Sequence, residues 1–165
     1  METIPSFKID HSRLKAGLYV SRKDLLGDCM LTTFDVRMKR PYKEEVMTTG
    51  SIHALEHICA TYLRNDELWG KRIIYFGPMG CRTGFYLIIA GDVDTDTMRP
   101  LMERMFDYVS DYEGEIPGSS IKECGNCVDL DLEEAKNDAT LYYNVLVEGK
   151  KDNFTYPKPR KKKGE

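Results

Sequence analysis

Residues 48–65 constrain this chain more tightly than any other stretch, because two sets of side chains there demand opposite surroundings. Ile52, Leu55, Ile58, Cys59, Tyr62 and Leu63 recur at helical spacing, and Thr48, Thr49 and Ser51 are candidate N-caps. At about 100° per residue, His53 and His57 lie about 40° apart and Glu56 about 60° to the other side of His53. All three share one sector, and the apolar residues centre on nearly the opposite one. Such a helix buries one face and turns two imidazoles and a carboxylate toward a groove or a partner.

The rest of the chain supplies elements for that helix to pack against. Two β-branched and aromatic stretches, residues 18–22 and 29–38, come first, separated by 24–28 with Gly27 as turn residue. Two more strand-like runs, 72–76 and 85–90, flank the loop GPMGCRTG at 77–84, which is too rich in glycine to be either element. A second helix is predicted over 96–112, with Met98, Leu101, Met102, Met105, Phe106 and Val109 as its buried stripe, and a third over 132–147. Strands in hairpin-like succession with helices between them predict an α+β domain with a mostly antiparallel sheet packed by helices. The 165 residues allow one domain, placed at 1–157.

Several functional classes are excluded early. The five basic residues of 158–165 face a single acid, so the net charge of −3 hides an acidic body. An acidic body lacks the basic face that nucleic acid requires. The basic tail itself reads as a disordered, solvated terminus. The longest apolar run, 85–90, is far short of the ~20 residues of a membrane span. Charges scattered through residues 1–20 leave no apolar signal region. With five cysteines, an odd count, the chain is expected in the reducing cytoplasm, where thiols serve metals or chemistry.

The three histidines and five cysteines therefore carry the functional question. His53 and His57, one turn apart, suit a metal ion, with Glu56 free to move protons. The motif is a reversed zinc-peptidase signature, for which Glu133 or Glu134 would be a third ligand. Cys124-Gly125-Asn126-Cys127 is the more obvious donor. Two bound thiolates would close a structural zinc site, whereas one would leave a coordination position open for catalysis; a redox pair is a third reading. Cys81 lies where glycines let backbone approach a ligand and Arg82 could favour a thiolate, though a buried strand-end cysteine fits the same pattern. Cys29 and Cys59 fall within apolar patterns and are expected in the core.

Taken together, FDVR (34–37), IHALEHICATYLRN (52–65), FGPMGCRTGFYL (76–87) and EGEIPGSSIKECGN (113–126) resemble the S-ribosylhomocysteine lyase family, LuxS. The opening SFKIDH (6–11) matches as well, and the resemblance runs in order from about residue 5 to about 147. It implies a cytoplasmic homodimer that splits the thioether of S-ribosylhomocysteine into homocysteine and dihydroxypentanedione, the precursor of autoinducer-2. It further implies one divalent metal per subunit, Fe2+ natively with Zn2+ or Co2+ possible, held by His53, His57 and Cys124. Cys81 and Glu56 would be the acid/base pair. Ser6, His11 and Arg37 would contact the ribose, with the sites at the subunit interface. Tyr42 stands where the family more often has asparagine, and Cys127 where tyrosine is common.

Overall fold

The computed structural model describes residues 5–158. The chain runs β1 (Gly17–Leu26), β2 (Cys29–Arg37), α1 (Thr49–Asn65), β3 (Ile73–Pro78), β4 (Gly84–Ala90), α2 (Thr95–Ser110) and α3 (Leu132–Glu148). Short 3-10 turns occupy Pro5–Lys8, Gly70–Arg72, Cys127–Asp129 and Lys151–Asn153. The strands form a single antiparallel sheet in the order β1-β2-β4-β3, so the predicted α+β class holds. No helix is long and apolar enough to cross a membrane among the described residues. The basic tail beyond Lys158 lies outside those residues, as does the side chain of Ser6.

The first hairpin is longer than its hydrophobic pattern suggests. Leu26 pairs directly with Cys29, and the turn is only Gly27 and Asp28, with Gly27 at φ +60. Glycine takes that left-handed conformation without a Cβ penalty and lets the strands run to the tip. Cys29 consequently sits at the end of the hairpin and is exposed, not in the core. Its neighbours on β1, Leu25 and Leu26, are exposed too, since the hairpin outruns the helices that cover the sheet. Cys59, by contrast, is fully buried, as its helical position predicts.

One face of the sheet makes the core. Leu18, Phe34, Val36, Ile73, Phe76, Phe85, Leu87 and Ile89 meet Ile52, Leu55, Ile58, Cys59 and Leu63 of α1. The predicted α2 stripe, Met98 to Val109, is buried in all six members. Each helix starts on a side-chain cap: Thr48 Oγ1 accepts the Ser51 N–H at 3.2 Å, Asp94 the Thr97 N–H at 2.8 Å, and Asp131 the Glu134 N–H at 2.9 Å. These bonds satisfy N–H groups that a helix start leaves without partners. Asp138 of α3 ties the sheet end to α1, accepting from Ser51 Oγ at 2.5 Å and pairing with Lys39 at 2.5 Å.

The opposite face carries the polar members of the alternation: Tyr19, Asp35 and Tyr86 pair across β1, β2 and β4. Its β1–β2 half is roofed by the end of the described chain. Tyr156 stacks on Tyr19 with ring centroids 4.6 Å apart. Asn153 Nδ2 donates to the Ala16 carbonyl at 2.7 Å, and Arg13 Nη1 donates to the Lys158 carbonyl at 2.9 Å. Toward β3 the same face remains open at Tyr75.

Candidate active site

The helix that opens the sequence argument delivers its two imidazoles as predicted. Leu55, Ile58, Cys59 and Leu63 anchor α1 in the core, which leaves His53, Glu56 and His57 half-buried on its far side. Cys124 joins them from the loop between α2 and α3, with Sγ 3.3 Å from His53 Nε2. The three donor atoms of His53, His57 and Cys124 all lie within 4.8 Å of one another. Cys127, Glu133 and Glu134 lie outside this group.

What surrounds the donors settles which nitrogens are free. His53 Nδ1 bonds Asp129 Oδ1 at 2.7 Å, and His57 Nδ1 bonds the Pro117 carbonyl at 2.7 Å. A carboxylate and a carbonyl can only accept, so each Nδ1 carries a proton and Nε2 is the nitrogen left to face a metal ion. This is the outer arrangement that ligating histidines require. Backbone holds the sulfur side: the Cys124 N–H donates to the Ser120 carbonyl at 2.9 Å, and the Asn126 N–H donates to Cys124 Sγ at 3.4 Å. Gly118, at φ +69, passes close to the His57 ring, where an added Cβ would sit 3.3 Å from Nδ1. The residues thus fit a divalent ion that accepts two nitrogens and one sulfur.

A second constellation forms around Cys81. A cavity of about 260 Å³ is lined by His11, Arg37, Tyr42, Glu44, Cys81 and Thr83, among others, and by none of the three metal donors. Arg37 is 2% exposed and clamped to Asp35, also 2% exposed. Its Nε donates to Oδ1 at 3.0 Å and its Nη2 to Oδ2 at 2.7 Å. The remaining arm, Nη1, reaches Thr83 Oγ1 at 2.6 Å and Cys81 Sγ at 3.7 Å. Burial works against the guanidinium charge, but Asp35 outweighs it and holds Arg37 above its ordinary value. Burial alone would likewise raise the Cys81 thiol. Hydrogen bonds from the Thr83 side chain and backbone, then the charge of Arg37, overcome it and lower the thiol below its ordinary range.

Of the residues singled out in the sequence, the structure brings together His53, His57 and Cys124 in one group, and Cys81, His11 and Arg37 in another. Glu56 belongs to neither group and is held by no hydrogen bond among the described residues. Asp129, Pro117, Asp35, Thr83 and Tyr156 are supporting residues that the sequence reading missed. Asp35 had a signal, since residues two apart on a strand face the same way and Arg37 was already marked. Asp129 had none, and Pro117 fell within the resembling stretch 113–126 with nothing to mark its carbonyl.

Three such protein donors could hold a divalent ion, and the class this fits is that of a metal-dependent enzyme. A sequence profile of the S-ribosylhomocysteinase (LuxS) family matches residues 4–153. The chain belongs to that family. It is 52% identical to an S-ribosylhomocysteine lyase of Finegoldia magna over 157 residues, which is 95% of this chain and 99% of that one. It is 49% identical to the S-ribosylhomocysteine lyase of Phocaeicola vulgatus over 158 residues, covering 95% of this chain and 98% of the relative. A third such lyase, from Porphyromonas gingivalis, is 48% identical, again over 95% of this chain and 99% of its own.

Proposed function

We infer that this protein cleaves the thioether of S-ribosylhomocysteine, releasing homocysteine and dihydroxypentanedione, the precursor of the signal autoinducer-2. The observation that carries this reading is the His53–His57–Cys124 group, two histidines of α1 held by outer partners and one cysteine from the loop after α2. The thioether lies several bonds from the sugar carbonyl and cannot be eliminated directly. Successive enolisations must first bring the carbonyl near enough for a carbon beside it to lose a proton and expel the β-thiolate.

The ion supplies Lewis acidity for the sugar oxygens, and we read it as Fe2+, with Zn2+ or Co2+ able to take its place. The protein's own residues move the protons. Cys81, whose thiol Thr83 and Arg37 hold below its ordinary range, takes a proton from one carbon and returns it to the next. Glu56, unheld and beside the histidines, serves as the second acid/base group. Ser6, His11 and Arg37 bind the ribose portion; Arg37 brings mainly its charge, since its bonds go to Asp35, Thr83 and Cys81. A cytoplasmic setting belongs to the same reading, because a catalytic thiolate needs reducing surroundings.

We further place each site at the interface of a homodimer. The separation of the Cys81 cavity from the metal donors supports this, as does the open outer face of β3. The test is direct. Metal-loaded protein incubated with S-ribosylhomocysteine should release a titratable thiol, and none would overturn the assignment. Cys81→Ala should abolish release while metal content stays unchanged. Loss of metal in that variant would make Cys81 a ligand instead.

A further inference from the structure

The roof over the outer sheet face reaches the reactive thiol through a chain of four side chains. Tyr156 Oη donates to Asp35 Oδ2 at 2.8 Å, the same oxygen that accepts from Arg37 Nη2. Arg37 in turn contacts Thr83 and Cys81. We propose that Tyr156 is a positioning residue for Cys81: its phenol holds Asp35, Asp35 holds Arg37, and Arg37 holds the thiol end of Cys81. The proposal rests on the reading that Cys81 is the reacting thiol. Tyr156 lies beyond the stretch that the family profile matches, 4–153, and no sequence pattern marked it.

The direction of the effect follows from competition for one oxygen. Burial, reinforced by Asp35, pushes the Tyr156 phenol far up, so it stays protonated and donates. While it draws on Oδ2, that oxygen neutralises Arg37 less completely, and more of the guanidinium charge is left for the thiolate. Remove the phenol oxygen and Asp35 turns wholly to Arg37. The other charged or titratable groups around Cys81 are His11 before β1, Tyr42 and Glu44 before α1, Tyr86 on β4, and the adjacent Arg82. The variant leaves all of them unaltered.

The experiment follows alkylation of the Cys81 peptide by iodoacetamide across pH, read by mass spectrometry on the full chain. Tyr156→Phe keeps the ring against Tyr19 and removes the hydroxyl, with its bonds to Asp35 and Ser21. Its alkylation midpoint should rise by roughly half a pH unit or more relative to the unaltered protein. Tyr19→Phe is the control: it deletes the bonds from Tyr19 Oη to the Lys15 and Asp152 carbonyls and leaves the hydrogen bonds of Asp35 in place. That variant should loosen the roof and leave the midpoint in place. An unmoved midpoint in Tyr156→Phe, or an equal rise in both variants, overturns the proposal. Because alkylation reads the thiol and not turnover, either result stands apart from whether S-ribosylhomocysteine is the substrate.

Discussion

Two residues other than glycine hold a left-handed backbone beside the thiol cavity, Tyr42 at φ +61 and Arg82 at φ +58. For an L-residue this conformation costs about 1 kcal/mol, and asparagine bears it more easily than tyrosine. Tyr42 is also 86% exposed, so its ring recovers little by packing. Tyr42→Asn should therefore stabilise the chain by about 1 kcal/mol, seen as a higher urea midpoint at unchanged slope. A lower midpoint would mean that the ring has partners that offset the strain. The chemistry at this scale was unevenly legible. His53, Glu56 and His57 could be placed in one sector because helical angles are fixed by geometry. Cys29 misled, because apolar neighbours in sequence do not say how far a hairpin runs past its covering helices. Asp129 and Pro117 were invisible, since a loop returning to a helix over 60 or more residues leaves no periodic trace.

At the scale of elements, the metal group depends on how closely the start of α1 approaches the segment after Cys127. Gly50, in the first turn, has its backbone against that segment, and its carbonyl accepts the Asp131 N–H at 3.2 Å. An added Cβ would fall 2.6 Å from the Asp129 carbonyl oxygen. Alanine is the better helix former, yet here it must push away the turn whose Asp129 orients His53. Gly50→Ala is expected to lower metal affinity by about 10-fold or more, measured by competition with a chromophoric chelator. Unchanged affinity would show that the turn yields without disturbing His53. Helices were the most legible elements: the α2 stripe and the α1 face were both read from spacing, and their ends moved by only a residue or two. Strand pairing was less so. The order β1-β2-β4-β3 sets β4 beside β2, a pairing between segments separated by the whole of α1.

For the whole molecule, the question is how the cavity of Cys81 meets donors that do not line it. If a second copy completes each site, two inactive variants should rescue one another. Mixing Cys81→Ala with Cys124→Ala under conditions that exchange subunits should restore up to about a quarter of the activity, because half of the dimers then carry one intact site of two. No recovery would place both groups in one subunit. Folding of the single chain has its own order. Asp35 is made 121 residues before Tyr156, whose phenol covers it. During synthesis from the ribosome, the Asp35–Arg37 pair therefore waits uncovered until residue 156 has emerged. A product stalled or truncated before residue 156 would carry the metal ligands but not the finished setting of its thiol, so emergence of that one phenol is itself a condition of reactivity.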